Sequence, residues 1–528
     1  MPALPSPRDS VGESRVAAVC ARGMEKNPSG DQGHIGLSSA LACQSGVPCR
    51  PRACRGHLST PLAQSAPQLA VFPATSGPPL NVGRDAIVKL RAVSMRRVAV
   101  IAVLAMLVLA VPFSAAAAPP PSPAPAAPST SAYRVPGLDN PAARATVLRQ
   151  GVEVLGGGRD YLEVQATPAQ ADHLRASGLR LLPLPAAAPV PAAVPGLVVP
   201  GEFPIGYQGY HTYRRLTAEL DALAAAHPHQ VAVSSYGRSA QGRPLLLVKI
   251  SDEVRADKHE PEVLFSCAQH AREHLTVEMC LHIVRRLAQG YGIDPAITQL
   301  VRSRVVWVVP MANPDGAEYD ISTGLFGLWR KNRQPNPGDA EIGTDLNRNW
   351  GDEWACCGGS SANPGNDTYH GSAPFSAPET AQLRDWVNSR VIHGVQQITA
   401  HIDFHSFSEL VLWPYGFTAS DTGPGLNNFD AAAFRKLGEQ MAATNGYTPE
   451  QSSHLYINDG SIGDWMWAQH HIWSYTLEMY PTSLTQGGFY PPANVIERET
   501  ARNDAAVDLL LSYADCVPRI IGARCAAR

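Results

Sequence analysis

The 528-residue sequence contains no CxxC pair, no glycine fingerprint of the kind that cradles phosphate, and no internal repeat. Those absences remove a cysteine-clamped zinc ribbon, a dinucleotide loop and a solenoid from consideration. Charge is also scarce: 17% of residues are Asp, Glu, Lys or Arg, and the formal net charge is −3. A chain so balanced has no bulk attraction for nucleic acid, for an acidic membrane or for a polyanionic substrate, so no nucleic-acid partner is expected. No convincing calcium loop is present either. What remains is a chain with 45% hydrophobic residues, long enough for one large catalytic domain with accessory segments.

The apolar run Val98 to Val111 is too short to be a comfortable spanning helix. Met95-Arg96-Arg97 precedes it and Pro112 to Ala118 follows, with Ala116 and Ala118 placed for cleavage. A positive end, an apolar stretch and a small-residue site in that order read as a secretory signal peptide over 95–118. A secreted, extracellular protein with no stable membrane span after cleavage is therefore expected. Residues 1–94 are rich in Pro, Ser, Gly, Ala and Arg and show little periodicity. They read as an upstream extension, with translation starting at Met95, or as a disordered tail.

Six further cysteines, Cys267, Cys280, Cys356, Cys357, Cys516 and Cys525, are an even set that permits disulfides in an exported chain. Cys516 and Cys525 could close a short terminal loop. Neighbouring Cys356 and Cys357 are not expected to bond to each other.

A Pro/Ala-rich linker (119–132) leads to a small folded unit (133–184), with a helix predicted over 142–155, a strand over 160–164 and a helix over 167–177. Residues 185–206 return to Pro/Ala/Val linker, an accessible place for processing. The main domain spans 207–515 and a tail covers 516–528. Strands are predicted at 230–235, 245–250, 262–267, 302–309, 397–404, 410–413 and 473–479, with helices at 214–227, 275–287, 378–388 and 430–444. Asn313-Pro314-Asp315-Gly316 reads as a turn. Strands separated by helices predict an α/β domain with a parallel or mixed sheet, whose ligands sit beyond the strand ends.

Three chemical groups fall at such ends. His270-Ala271-Arg272-Glu273 follows the strand 262–267, His405 follows 397–404, and Glu478 lies in 473–479. Two imidazoles and one carboxylate suit a catalytic zinc with one position left open, and Glu478 offers a separate carboxylate for general-base work. Taken singly, each signal has a plain rival. His270 and Glu273 could join a surface salt link with Arg272, and His405 could be a hydrogen-bonded core histidine. Asp403, on the same side of an ideal strand as His405, could orient a ligand imidazole.

Together with Trp329-Arg330-Lys331, Asp345-Leu346-Asn347-Arg348-Asn349-Trp350, Cys356-Cys357-Gly358-Gly359 and Tyr369-His370-Gly371, these motifs resemble the zinc carboxypeptidases of the pancreatic carboxypeptidase A type, and secreted bacterial members in particular. The resemblance covers about Tyr210 to Tyr513. It implies an α/β fold with a central mixed eight-stranded sheet flanked by helices. It also implies one Zn2+ per catalytic domain on His270, Glu273 and His405, Arg330 beside the scissile carbonyl, and Asn347 and Arg348 on the substrate's terminal carboxylate. Tyr456 corresponds to the mobile covering tyrosine and Glu478 to the catalytic glutamate.

Chemistry agrees with that assignment: a guanidinium fork suits a carboxylate, and positive charge beside a carbonyl stabilises developing oxyanion charge. The expected partners are peptide or protein C-termini, acted on by a monomer. In the pocket for the last side chain, Ser461 and Gly463 carry no acid, so an apolar or aromatic C-terminal residue is expected. Asp459 and Glu409 leave mixed specificity towards basic residues open. Residues 133–184 correspond in position to a pro-domain, here a short one. The rival enzyme is a related zinc amidase or cell-wall peptide hydrolase, and the non-enzymatic rival is a pseudo-enzyme used as a binding module.

Overall fold

The computed structural model describes residues 129–185 and 198–525. The expectations for 1–94, for the signal peptide and for most of the 185–206 linker lie outside the described residues. Those that are described belong to one compact unit, Pro120–Arg528.

The small N-terminal part is an antiparallel sheet of β1 (Ser131–Pro136), β2 (Glu153–Gly158), β3 (Tyr161–Ala166) and β4 (Leu182–Pro183), in the order β2-β3-β1-β4. Helices Pro141–Leu148 and Pro168–Ala176 pack on it, each opening on a proline after a capping side chain, Asn140 and Thr167. The helix predicted over 142–155 is a correction. It stops at Leu148, Gly151 turns with φ of 65°, and residues 153–158 pair with β3 instead. Three consecutive glycines, 156–158, disfavour helix and permit the close strand pairing that replaces it.

The main domain is built on β5 (Val231–Arg238), β6 (Pro244–Ile250), β7 (Glu262–Cys267), β8 (Val305–Val309), β11 (Ile398–Ser406), β12 (Leu410–Trp413), β13 (Thr448–Gln451) and β14 (Trp473–Met479). They form one mixed eight-stranded sheet in the order β13-β12-β14-β11-β7-β8-β6-β5. A two-stranded hairpin, β9 (Val391–Ile392) and β10 (Val395–Gln396), lies between. Helices flank the sheet, among them Tyr213–Ala226, His274–Gly290, Pro378–Ser389 and Asn428–Asn445. Every residue of β7, β8 and β11 is buried, as expected for central strands covered on both faces.

The strand expected over 302–309 starts only at Val305. Residues Pro295–Ser303 are a helix, capped by the Asp294 carboxylate on the amides of Ala296 and Ile297. Asn313-Pro314-Asp315-Gly316 likewise opens the helix Pro314–Asp320, with Asn313 as its cap. In both places an Asx-Pro pair marks a helix start rather than a turn alone. Among the described residues no helix is long and apolar enough to cross a membrane.

Phe434, fully buried on helix Asn428–Asn445, meets Trp467, Trp473 and Tyr475 at ring-centroid distances of 4.9, 4.6 and 5.4 Å. Replacing it with alanine is expected to destabilise the domain by about 3–5 kcal/mol, read from denaturant unfolding midpoints. A change within 1 kcal/mol, roughly the level of an exposed site, would contradict this packing.

Candidate active site

Strand β7 ends at Cys267, and Ala268, with φ of 56°, turns the chain sharply towards His270. Glu273 caps helix His274–Gly290 without bonding any of its amides, which leaves its carboxylate free to face inward. A disulfide between Cys267 and Cys280 ties the strand end to that helix. On the other side β11 runs parallel to β14, with His405 directly opposite Glu478. Sheet register therefore brings groups from three distant segments to one edge.

There the expected ligand atoms meet. His270 Nδ1 lies 2.9 Å from Glu273 Oε1 and 3.1 Å from His405 Nδ1, and His405 Nδ1 lies 2.9 Å from Glu273 Oε2. Donors sharing a tetrahedral zinc sit roughly 3 Å apart, so this set fits that ion. The opposite nitrogens fit it too. His270 Nε2 is 3.1 Å from Asp345 Oδ1 and His405 Nε2 is 2.5 Å from Asp403 Oδ2, the carboxylate–histidine arrangement that turns the remaining nitrogens to a metal.

Around this triad stand the other predicted residues. Arg330 donates from Nε to Asp345 Oδ2 at 3.0 Å. Arg348 donates from Nε to the Gly359 carbonyl and from an Nη to the Tyr456 hydroxyl, at 3.0 and 3.2 Å. Asn347 accepts the Ile462 amide at 2.9 Å and places Nδ2 3.3 Å from His405 Nε2. Ser461 and Gly463 line the same cleft as Arg348, Tyr456 and Glu478.

A model of the zinc carboxypeptidase family matches residues 216–506. A zinc carboxypeptidase of Saccharothrix mutabilis subsp. capreolus is 50% identical over 392 residues, 73% of this chain and 89% of that protein. The chain belongs to the zinc carboxypeptidase family. Carboxypeptidase A4 of Mus musculus is 31% identical over 304 residues, covering 57% of this chain and 69% of that one. The solved carboxypeptidase A of Helicoverpa armigera shares the fold at a TM-score of 0.60 and 23% identity, over 74% of this chain and 98% of that one. The protein is thus a zinc-dependent metallocarboxypeptidase, and the pseudo-enzyme reading falls away.

As in any buried charge cluster, electrostatics here are set by burial working against neighbours. Burial alone would raise the Glu273 carboxyl, but His270 and His405 outweigh it and lower it. Burial disfavours a charged His405, yet Asp403 and Glu273 raise its pKa well above the ordinary range. Glu478 differs: burial dominates and pushes its carboxyl up to about 8, with His405 pulling down and Glu273 adding to the rise.

Several contributors went unforeseen. Asp345, shared between His270 and Arg330, stood in a quoted motif with no role given to it. Ser474, Thr476 and Glu478 all line the cleft, which the period-2 alternation of β14 could have revealed. Behind Asp403 lies a buried relay: Ser266 Oγ donates to Asp403 at 2.5 Å and contacts His401 Nε2 at 2.8 Å, and His401 Nδ1 contacts Ser474 Oγ at 2.8 Å. Of the two acids considered for basic selectivity, Glu409 is paired with Arg502 and Asp459 accepts the amides of Cys357 and Gly359. Cys356 and Cys357, expected apart, are bonded to each other, and Cys516 pairs with Cys525. The pair sits in a sharp turn, with positive φ at Ala355 before it and at Gly358 after it.

A carboxyl raised to about 8 in the folded state, against an ordinary 4.5 in the unfolded chain, costs stability as pH rises between those values, because only the unfolded state releases the proton there. In chelator-treated protein, Glu478→Gln should therefore match the wild type near pH 5 and exceed it in Tm increasingly towards pH 8. A Tm difference that stays constant across this range would contradict the buried, proton-holding carboxyl.

Proposed function

We propose that this protein is a secreted carboxypeptidase that removes the last residue of peptides and proteins, acting as a monomer with one zinc on His270, Glu273 and His405. The observation that carries the reading is the convergence of those three donors with Glu478 on one side and Arg330, Asn347 and Arg348 on the other. The metal, when bound, supplies Lewis acidity towards the scissile carbonyl and acidifies water. Arg348 and Asn347 hold the free α-carboxylate, which restricts cleavage to the chain end. Arg330, kept charged by Asp345 despite burial, faces the carbonyl oxygen where negative charge develops. Glu478, with its raised proton affinity, takes a proton during attack and returns it to the departing amine. Tyr456 closes over bound substrate.

An apolar or aromatic last residue is the proposed preference. Gly463 leaves the pocket open, since an added Cβ there would meet nothing nearer than Ser474 Oγ at 3.8 Å. Glu409 and Asp459 are engaged elsewhere, which favours the same reading. Asp464, which lines the cleft, accepts the Gly416 and Phe417 amides and so has little left to offer a cation. Release of C-terminal Phe, Leu, Arg and Lys from blocked dipeptides, compared with the corresponding C-terminal amides, tests all of this. Phe and Leu acids should be cleaved fastest, amides at least about 100-fold slower, and Glu478→Gln should lose about 10²–10⁴-fold in kcat while retaining zinc. Equal cleavage of acids and amides would support the amidase reading instead.

Residues 133–184 serve in this proposal as a pro-segment removed by cutting within 185–206. Strand β2 runs over the cleft, so that Val154, Leu155 and Gly156 share a cavity with His270, Glu273, Arg330 and Glu478. Buried Arg144 donates to the Leu455 carbonyl at 2.7 Å and Gly157 donates to Ser408 Oγ at 3.0 Å. Gly156 has no room for a side chain, because a Cβ would come within 2.7 Å of the Phe407 ring. Gly156→Val should therefore lift the cover and raise peptidase activity of the uncut chain severalfold towards that of the cut enzyme. Unchanged low activity in a folded Gly156→Val chain would count against occlusion by β2.

A further inference from the structure

One built feature beside the carboxylate-binding wall has no part in the chemistry above. It is the turn Cys356-Cys357-Gly358-Gly359, whose disulfide joins adjacent residues and is exposed to solvent. Its main chain points the other way, into the protein. The amides of Cys357 and Gly359 both donate to Asp459 Oδ2 at 3.0 Å. Asp459 is fully buried, and its Oδ1 has no hydrogen-bond partner among the described residues, so the carboxylate is held from this turn. The Gly359 carbonyl in turn accepts Arg348 Nε at 3.0 Å.

Backbone packing locks these pieces together. A Cβ on Gly359 would lie 2.4 Å from Asn458 Cα, and one on Gly460 would lie 2.5 Å from the Arg348 carbonyl oxygen. The Trp350 amide donates to the Gly460 carbonyl at 3.0 Å. The turn, Arg348 and the segment 456–460 that carries Tyr456 therefore form a single interlocked unit. Its outer boundary is a small covalent ring open to any reductant, whereas Cys267 and Cys280 are completely buried. Exposed disulfides are the ones thiol exchange reaches.

We infer that the Cys356–Cys357 disulfide is a redox-addressed latch on the carboxylate grip. Intact, it holds the turn that positions Arg348 and Asp459; opened, it loosens both and weakens binding of the substrate's terminal carboxylate. A dithiol opens it by two steps: one thiolate attacks a cysteine sulfur to form a mixed disulfide, and the second thiol of the same reagent displaces the protein sulfur. The protein gains two thiols and the reagent becomes a disulfide, so two electrons and two protons pass to the protein. Arg348 and Asp459 are reached through the turn, which makes the cysteines positioning residues. The inference rests on the role proposed above for Arg348.

The test has two readouts. Hydrogen exchange on the full chain, before and after dithiothreitol, should speed up in 348–361 and 456–461 and stay unchanged in 398–406. Kinetics on the cut enzyme with benzoyl-Gly-Phe should show KM rising about tenfold with kcat within about twofold, the pattern of lost uniform binding, and should reverse on reoxidation. Cys356→Ser/Cys357→Ser should have the raised KM from the outset and ignore the dithiol. Cys516→Ser/Cys525→Ser should respond like the unaltered chain. Peptide mapping that finds Cys356 and Cys357 as free thiols in the untreated protein would overturn the inference. So would confirmed reduction without faster exchange at 456–461, or a fall in kcat at constant KM. An enzyme that cleaves no peptide acid in either state would count against the proposed function, and the exchange result would then decide the latch by itself.

Discussion

Two imidazoles and a carboxylate are packed within about 3 Å of one another in a site nearly sealed from water, and everything around them follows from that crowding. Buried polar groups are costly unless each finds a partner. Here the remaining imidazole nitrogens face Asp345 and Asp403, Asp345 is neutralised by Arg330, and Asp403 receives Ser266 and Gln269. Gln269 then accepts the indole of fully buried Trp350. Each partner creates a further demand until the network ends in the core. Such a chain fixes ligand direction more firmly than the three ligands could alone.

The same crowding explains the contrast between Glu273 and Glu478. Glu273 is buried and Glu478 half-buried, but the first lies between two imidazoles and the second only beside one, with Glu273 itself adding negative charge. The two are the same residue type, and their surroundings push their proton affinities in opposite directions. An acid–base pair of carboxyls needs no more than this difference in neighbours.

Much of this was legible because the motifs sit where strands end. Glu262–Cys267 and Trp473–Met479 were readable as short apolar runs, and their ends carry the chemistry. His270, Glu273 and His405 could be named as a metal set only by combining segments more than a hundred residues apart, a combination suggested by their shared place at strand ends and strengthened by the resemblance. What escaped was mostly local conformation. Gly151 broke a helix that Ala142 to Leu155 otherwise favoured, the helix begun at Pro295 runs on to Ser303 and takes the first residues of the strand expected over 302–309, and Cys356 and Cys357, expected apart, pair within one tight turn. Such features depend on a single residue's backbone angle, which periodicity averages away.

The N-terminal sheet borders the cleft through β2. Strand β2 lies against Phe407 and Ser408, residues that directly follow β11 and its ligand His405, and the approach depends on glycines rather than on side chains filling the site. Around it, polar contacts carry the register: Glu153 meets buried Arg272 at 2.6 Å, Glu163 accepts the Leu484 amide at 2.7 Å, and Tyr161 donates to the Thr482 carbonyl at 3.1 Å. Apolar contact is supplied by Leu155 against Phe407 and Phe489, and by Leu162 and Val164 near Leu410 and Leu455. Arg272 sits between the ligands His270 and Glu273 in sequence, yet its guanidinium points away from them to Glu153, Asp367 and the Phe489 ring. One short motif thus serves two surfaces: its first and last residues belong to the candidate metal site, and the arginine between them binds Glu153 of the N-terminal sheet.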